Sequence, residues 1–433
     1  MATYEGLKVL LDWFKSNGGS VQPHVEFASY PDMGCGMRAT SNLRSETELF
    51  SIPRSLVLSV HTSPLPKSLP DWSEISTQGW VGLILCLMYE QIDPASHWKR
   101  YLNSMPTCFD SLMFWSDDEL RELQGSSVLD KIGREEAEGS YYSILVPYLS
   151  KHADIFKPLE AYSLALYHRC GSLILSRSFH VSNQDDSASD ASDDDDAAYH
   201  EVETVGMVPM ADVLNAKSGS ANACLVYHPD ALVMTTTKEI AAGEQIFNTY
   251  NDPPNADLLR RYGHVDEVNL NDNVEISADL IGCKDLERVD WLLDRLDDVY
   301  TLTQAEDLPE DFITAVKILT ASKSEFRKIQ KADDLPDDVL DEATAMRVRE
   351  ILQMRLAQYS STIEEDESLL ASSTMLTSRS RAALLVRLGE KRILAAHFAR
   401  LPMPELSSRE GNKRALSRKD QREERKRQRR DSS

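Results

Sequence analysis

The chain of 433 residues has six cysteines, and no two of them form a Cys-x-x-Cys pair. That spacing disfavours a zinc ribbon and, in a reducing compartment, disulfides, and no structural metal is implied. Long apolar runs are also missing. The longest uncharged one, Val81 to Met88, falls far short of the roughly 20 residues a bilayer crossing needs. The N-terminal "MATYEGLKVLLDWFK" lacks the basic start and apolar stretch of a signal peptide. A soluble, intracellular protein without a membrane partner is expected. Basic charge is scarce, the formal net charge being −23, and it is unevenly spread. Residues 409–433 hold eleven Lys and Arg against five Asp and Glu, so this tail is +6 and the rest of the chain −29. An acidic body does not suit a phosphate backbone, so no direct nucleic-acid contact is expected for the core. It either suits a basic protein partner or simply solvates the fold.

What is present divides the chain into parts. With 42% hydrophobic residues it can bury the cores of two or three domains. "DDSASDASDDDD" (Asp185 to Asp196) has seven aspartates in twelve residues and nothing to bury, which predicts a disordered loop over 183–198. "HTSPLPKSLP" (His61 to Pro70) reads as a proline-punctuated linker. "KRALSRKDQREERKRQRR" (Lys413 to Arg430) reads as a nuclear-localisation or RNA-contacting tail, or as a solvated helix. Residues Glu48 to Val60 and Ala223 to Tyr250 are rich in Val, Ile, Thr, Tyr and Phe with turn residues between them, which predicts short strands and hairpins. Trp80 to Gln91, Ser140 to Ser150 and Ala161 to Ser176 have helical spacing, and beyond Asp285 the chain reads as helical. There, Leu286, Val289, Leu292, Leu293, Leu296 and Val299 form one apolar stripe. The expected organisation is a β-rich part at 19–62, a helical insertion at 63–199, a second β-rich part at 200–266, a helical domain at 267–402 and a basic tail at 403–433. Two sequence-distant β pieces must then meet in one sheet system.

Three constellations carry chemistry. In "PDMGCGMRATSNLRSETELFSIP" two glycines one residue apart precede a strand and let backbone approach a ligand, or merely make a tight turn. No third glycine or helix follows, which excludes a dinucleotide-binding fingerprint. In "MVPMADVLNAKSGSANACLVYH", Asp212 stands three residues before Asn215. Either the pair holds the chain in an irregular path by side-chain hydrogen bonds or it caps a helical turn. In "EQIFNTYNDPPNADLLRRYG", Tyr250 and Tyr262 stand at the two ends of one corner, where they line a narrow polar-ended channel or pack in a core.

The order "GCGMRAT", "SIPRSLVLSV", "ADVLN", "KEIAAGEQIFNTY" and "LLRRYGHV" resembles the SET-domain protein lysine methyltransferases. More narrowly, it resembles the class of the Rubisco large-subunit methyltransferase, whose core is split by a helical insertion and followed by a helical substrate-binding domain. "SHWKRYLNSMP", "DSLMFWSDDELRELQGS" and "ILSRSF" extend the likeness across Met33 to Gly263, with a looser helical likeness to about Leu401. The Asn-Ala pair with its Lys/Ser/Gly-rich loop is most like the fungal methyltransferases of large-subunit ribosomal proteins.

The resemblance implies an α+β fold, a SET β-core of short strands split by helices and followed by an all-α C-terminal domain. It implies an S-adenosyl-L-methionine-dependent lysine N-methyltransferase, with Met33, Gly34, Cys35 and Gly36 carrying the cofactor through backbone contacts. Arg177 is expected near the methionine carboxylate, where a guanidinium suits a carboxylate. Asn215 and Ala216 are expected to face the cofactor, although the family commonly has Asn-His there. Tyr250 is the implied catalytic residue, Tyr262 and Tyr227 the walls of the lysine channel, and Asp212 a neighbour of its lining. Asn251 stands where the family often has glycine, and Asn tolerates positive φ better than most residues. The expected partner is a basic protein, a ribosomal protein ahead of a histone, met by a monomer in the nucleus or the cytoplasm. Two competing readings are a catalytically inactive SET-like interaction platform and a helical nuclear scaffold, the latter predicting no β core.

Overall fold

The computed structural model describes residues 4–31, 33–181, 205–372 and 376–402. The aspartate run and the basic tail lie outside the described residues. The chain divides into two compact units, one of residues 1–274, 303–305 and 358–393 and one of 275–302, 306–357 and 394–433.

The first unit is built on two four-stranded sheets. One runs β1 (Ser20–Val21), β4 (Glu48–Pro53), β9 (Ala231–Thr236), β8 (Ala223–Tyr227), all antiparallel. The other runs β2 (Val25–Tyr30), β3 (Gly34–Ala39), β10 (Gln245–Asn248), β7 (Asn215–Ala216). Each sheet joins the two sequence-distant halves. Phe50 pairs with Met234 in the first sheet, and Gln245 and Ile246 pair with Arg38 and Met37 in the second. The inward side chains fix these registers. Leu49, Ile52, Leu232 and Met234 are fully buried, and a slip of one residue would undo the packing that holds them there. This β core removes the purely helical reading.

β7 enters its sheet differently. It lies parallel to β10, Phe247 opposite Asn215 and Asn248 opposite Ala216. Asn222, 1% exposed, completes that edge: its amide nitrogen donates to the Gln245 carbonyl (2.9 Å) and its oxygen accepts from the Phe247 N–H (2.7 Å).

The helices of this unit cover the sheets. Helix Tyr4–Ser16 buries Leu7, Leu10, Trp13 and Phe14, one stripe at helical spacing. Helix Val81–Ile92 is buried on nearly every side. Its Glu90 is tolerated there because the hydroxyls of Ser63 (2.7 Å) and Ser96 (2.5 Å) donate to it. Helix Leu164–Arg177 begins at a Ser163 cap and ends on a short strand pair, β5 (Ser178–His180) with β6 (Val205–Met207). Among the described residues no helix is long and apolar enough to cross a membrane.

In the second unit the expected apolar stripe does not form. The helix after Asp285 stops at Leu293, and Val299 opens a strand, Val299–Thr303, in a two-stranded sheet with Asn273–Ser277. Leu286 and Leu293 are 74% and 47% exposed, and the buried pair is Arg288 with Leu292. The physical reason is a polar one: Arg288 donates to the carbonyls of Leu319 (3.1 Å) and Ala321 (2.6 Å), capping the end of helix Glu310–Thr320. Helices Lys323–Ala332 and Glu342–Leu356 complete this unit.

Candidate active site

The corner between Tyr250 and Tyr262 is built from unusual backbone. After β10 the chain turns through Asn251 and Asp252 at φ +63° and +49°, a region L residues seldom adopt. Pro253 and Pro254 lead into a helical turn that widens into a π-helix over Leu258–Tyr262. Gly263 closes it at φ +75°; a Cβ there would stand 2.6 Å from the backbone of Asp110 and Ser111. The result stacks the two phenols, ring centroids 4.2 Å apart and planes within 10°. The Tyr250 hydroxyl donates a long hydrogen bond, 3.4 Å, to the Leu214 carbonyl.

Both rings line a cavity of about 240 Å³. Met33, Gly34 and Cys35 of the β3 end, Arg177 of the helix end, and Asp212, Asn215 and Ala216 line it too. Gly36 stands just behind: a Cβ on it would meet the side-chain amide nitrogens of Asn215 at 2.8 Å and Gln245 at 3.0 Å, so glycine leaves room for those side chains. Tyr227 is the exception, since it does not line this cavity. At the end of β8 it pairs with Leu232 and packs against the hydrophobic core, in the field of Arg54. Its place in the register of β8 against β9 keeps it out of this cavity's lining.

Met210 at φ +76° and a 3₁₀ turn over Ala211–Val213 swing Asp212 inward until it is 7% exposed. One carboxylate oxygen, Oδ2, accepts from the Tyr101 hydroxyl at 3.0 Å; the other, Oδ1, is buried with no partner among the described residues. Burial pushes the Asp212 carboxyl up to about 6 against the pull of Arg177. Arg177 Nη1 donates to the Asp212 backbone carbonyl at 2.6 Å, which fixes the guanidinium at the cavity edge. The Asn215 amide nitrogen is likewise buried without a partner among the described residues. Burial raises both phenols, so Tyr250 and Tyr262 are neutral hydroxyls. The cavity thus offers one unused anionic acceptor, one unused amide donor, a cation, neutral hydroxyls and bare strand-end backbone. That set fits a zwitterionic amino-acid group beside an alkylammonium.

Sequence reasoning missed part of the lining. Leu7 and Leu10 come from the N-terminal helix, Met105, Cys108, Phe109 and Asp110 from the segment after helix Lys99–Ser104, and His264 from just past the corner. The spacing of Leu7, Leu10 and Phe14 signals a buried helix face, though nothing in it points to a site. His264 lies 6.1 Å from the Tyr262 ring and also borders a second, smaller cleft with Tyr250, Lys217, Asp252 and Asp266. Burial lowers its imidazole below the usual histidine range.

Comparison with known proteins agrees with this geometry. Residues 282–394 match the family model described as Rubisco LSMT substrate-binding. N-lysine methyltransferase SETD6 of Homo sapiens is 31% identical over 83% of either chain. Ribosomal lysine N-methyltransferase 4 of Saccharomyces cerevisiae is 33% identical over 59% of this chain and 54% of its own. In fold, the chain superposes on the SET domain of LSMT bound to lysine and AdoHcy with a TM-score of 0.68 at 20% identity, covering 92% of this chain and 91% of the other. Rubisco LSMT bound to AdoMet gives 0.67 at 21% identity over 91% of each. The chain therefore belongs to the SET-domain protein lysine N-methyltransferases, in the class of the Rubisco large-subunit methyltransferase.

Proposed function

We propose that this protein transfers a methyl group from S-adenosyl-L-methionine to a lysine side chain of a basic protein, with a large-subunit ribosomal protein the favoured substrate. The observation that carries the reading is the stacked Tyr250–Tyr262 pair in one cavity with the Gly34–Cys35 strand end, Arg177 and Asn215. The residues present suit the cofactor. Arg177 and the Asn215 amide would meet its amino-acid end, and the backbone at Met33–Cys35 would lie along it. Ala216 contributes a small, 8% exposed wall in place of the family's histidine. When bound, S-adenosylmethionine supplies an electrophilic methyl on a cationic sulfur.

The remaining work belongs to the chain. In-line displacement needs the amine held on one axis, and a slot between two stacked phenols and Asp212 holds it there. The Tyr250 proton is engaged by the Leu214 carbonyl, so its oxygen lone pairs are free to accept weak C–H···O contacts. The unused Asp212 Oδ1 accepts an N–H of the lysine and turns the nitrogen toward the methyl. A lysine with an ordinary pKa near 10.4 must lose a proton first, and the desolvated walls and the neighbouring cation favour that loss.

The acidic body suits a basic substrate, and the yeast relative's name specifies ribosomal lysine. A monomeric state and a nuclear location, the latter expected from the basic tail, belong to the same proposal. The test incubates the protein with labelled S-adenosylmethionine and extract from cells lacking it, followed by mass spectrometry. Label on a lysine of a basic protein is expected; label on no protein overturns the reading.

A further inference from the structure

The loop that follows the corner, His264 to Asp272, combines two properties that do not ordinarily go together. Its tip is apolar and out in solvent: Val268 is 77% exposed and Leu270 85%. Its frame is nailed down. Asn255, 2% exposed, holds the loop at both ends: its side chain exchanges hydrogen bonds with the Asp266 backbone (2.8 and 3.0 Å), and its N–H donates to Asp272 (2.7 Å). Asn269, 8% exposed and lying between the two apolar residues, donates to the Pro253 carbonyl at 2.8 Å and accepts from the Asn271 N–H at 2.9 Å. Asn271 then donates to Ser218 at 3.0 Å, tying the tip to the loop that follows Asn215.

Loop tips are ordinarily polar, and an exposed apolar side chain does nothing for folding. Here buried asparagines fix the backbone on both sides of Val268 and Leu270, so the pair is held out rather than left loose. The position is informative as well. The loop springs from Tyr262 and His264, and its Asp266 borders the second cleft together with Tyr250, Lys217, Ser218 and Asp252. Two side chains are a small fraction of the roughly 1,200 Å² that a stable pairing of whole proteins buries. They match instead a single apolar residue of an extended segment, whose side chains on one face recur about every 7 Å. The acids Asp252 and Asp266 outnumber the one base, Lys217, along the cleft, which complements a basic chain.

We propose that Val268 and Leu270 are the docking surface for an apolar residue of the protein substrate that neighbours the target lysine. This rests on the methyltransferase reading above and adds the class of sequence the enzyme selects: lysine in a basic segment with an apolar neighbour. A one-pocket apolar contact of this kind changes affinity roughly tenfold.

The experiment compares the wild type with the V268S/L270S double variant, using labelled S-adenosylmethionine and extract from cells lacking the protein. Thermal midpoint and cofactor affinity are expected to be equal, because neither side chain packs in a core or lines the cavity. The double variant is expected to label the same band with the same maximal rate, but to need roughly tenfold more extract for half-saturation. Serine in place of the apolar neighbour in the labelled protein then slows the wild type equally and the double variant no further. Unchanged half-saturation overturns the proposal. So does light scattering that finds a wild-type dimer which V268S/L270S dissolves, since a second copy then covers the surface. If the wild type binds S-adenosylmethionine yet labels nothing, the reading of protein substrates fails first, and the proposal with it.

Discussion

Asp212 shows how much of this site is decided by single side chains. A carboxylate at the bottom of a cavity, given one hydroxyl and one free oxygen, is a cost to the fold whenever it is ionised. Its carboxyl is raised to about 6 from 3.8, so the folded chain binds that proton more tightly than the unfolded one. The stability this gives is complete below pH ~3.8 and is lost as pH rises through about 6. D212N removes the titration, and without substrate it should become more stable than the wild type by up to about 3 kcal/mol as pH goes from 4 to 7. Thermal melts across that range check it, and a stability difference that does not change with pH contradicts it. Methyl transfer by D212N should fall above a pH of about 6, where the wild type offers the amine an anionic acceptor and the amide only a neutral one. At this same scale the sequence was readable only where chemistry leaves a pattern. Tyr250, Tyr262, Asp212 and Asn215 stood in motifs and meet in one cavity, as do Arg177 and the Gly34–Cys35 turn. Tyr227 was expected at the cavity and lies outside its lining, while His264 lines it without having been singled out, because which face of a strand end or turn a ring takes is decided by register and by contacts far away in sequence.

At the level of elements, one joint of the first unit is built on buried charge. Helix Ile363–Ala371 and the following helix, which starts at Ser378, are joined by Asp366, which is fully buried. Asp366 accepts from Lys391 Nζ at 2.7 Å and from Arg387 Nη2 at 3.0 Å. Beside it, Glu390 accepts from the Tyr359 hydroxyl (2.7 Å) and the Ser126 hydroxyl (2.6 Å), fastening the second of these helices to the segments on which Tyr359 and Ser126 lie. Burial by itself would raise the Asp366 carboxyl, but Lys391, Ser361 and Arg387 together hold it below the usual aspartate range. Its contribution is present above pH ~4 and disappears as the pH falls through that lowered value. K391M leaves a buried carboxylate with one partner fewer and should cost roughly 3 kcal/mol. Chemical denaturation of the whole chain measures this, and a loss under about 1 kcal/mol would mean that water or Arg387 alone satisfies the charge. Elements were legible where one periodicity dominated, as in helix Val81–Ile92 and strands β4 and β9. They were not legible after Asp285, where an arginine that caps a neighbouring helix takes a buried position and the apolar residues around it face solvent.

For the whole molecule, the acidic body and the active cavity make one combined claim. A chain whose charge outside the tail is −29 attracts basic proteins over distances that salt screens. The rate of transfer at low substrate should therefore drop roughly tenfold between low salt and 0.5 M, with little change at saturation; a salt-independent rate removes steering from the mechanism. The pairing of residues 20–53 with 215–248 is what brings Tyr250 to the Gly34–Cys35 strand, and the sequence foretold that meeting without its register. The central claim is that the Tyr250 oxygen acts on the transferring methyl. Single-turnover transfer by the Y250F variant, measured beside its affinity for S-adenosylmethionine, tests this most directly. The expected result is a loss of roughly a hundredfold or more in rate with cofactor affinity near that of the wild type; a Y250F variant that transfers methyl groups at the wild-type rate contradicts it.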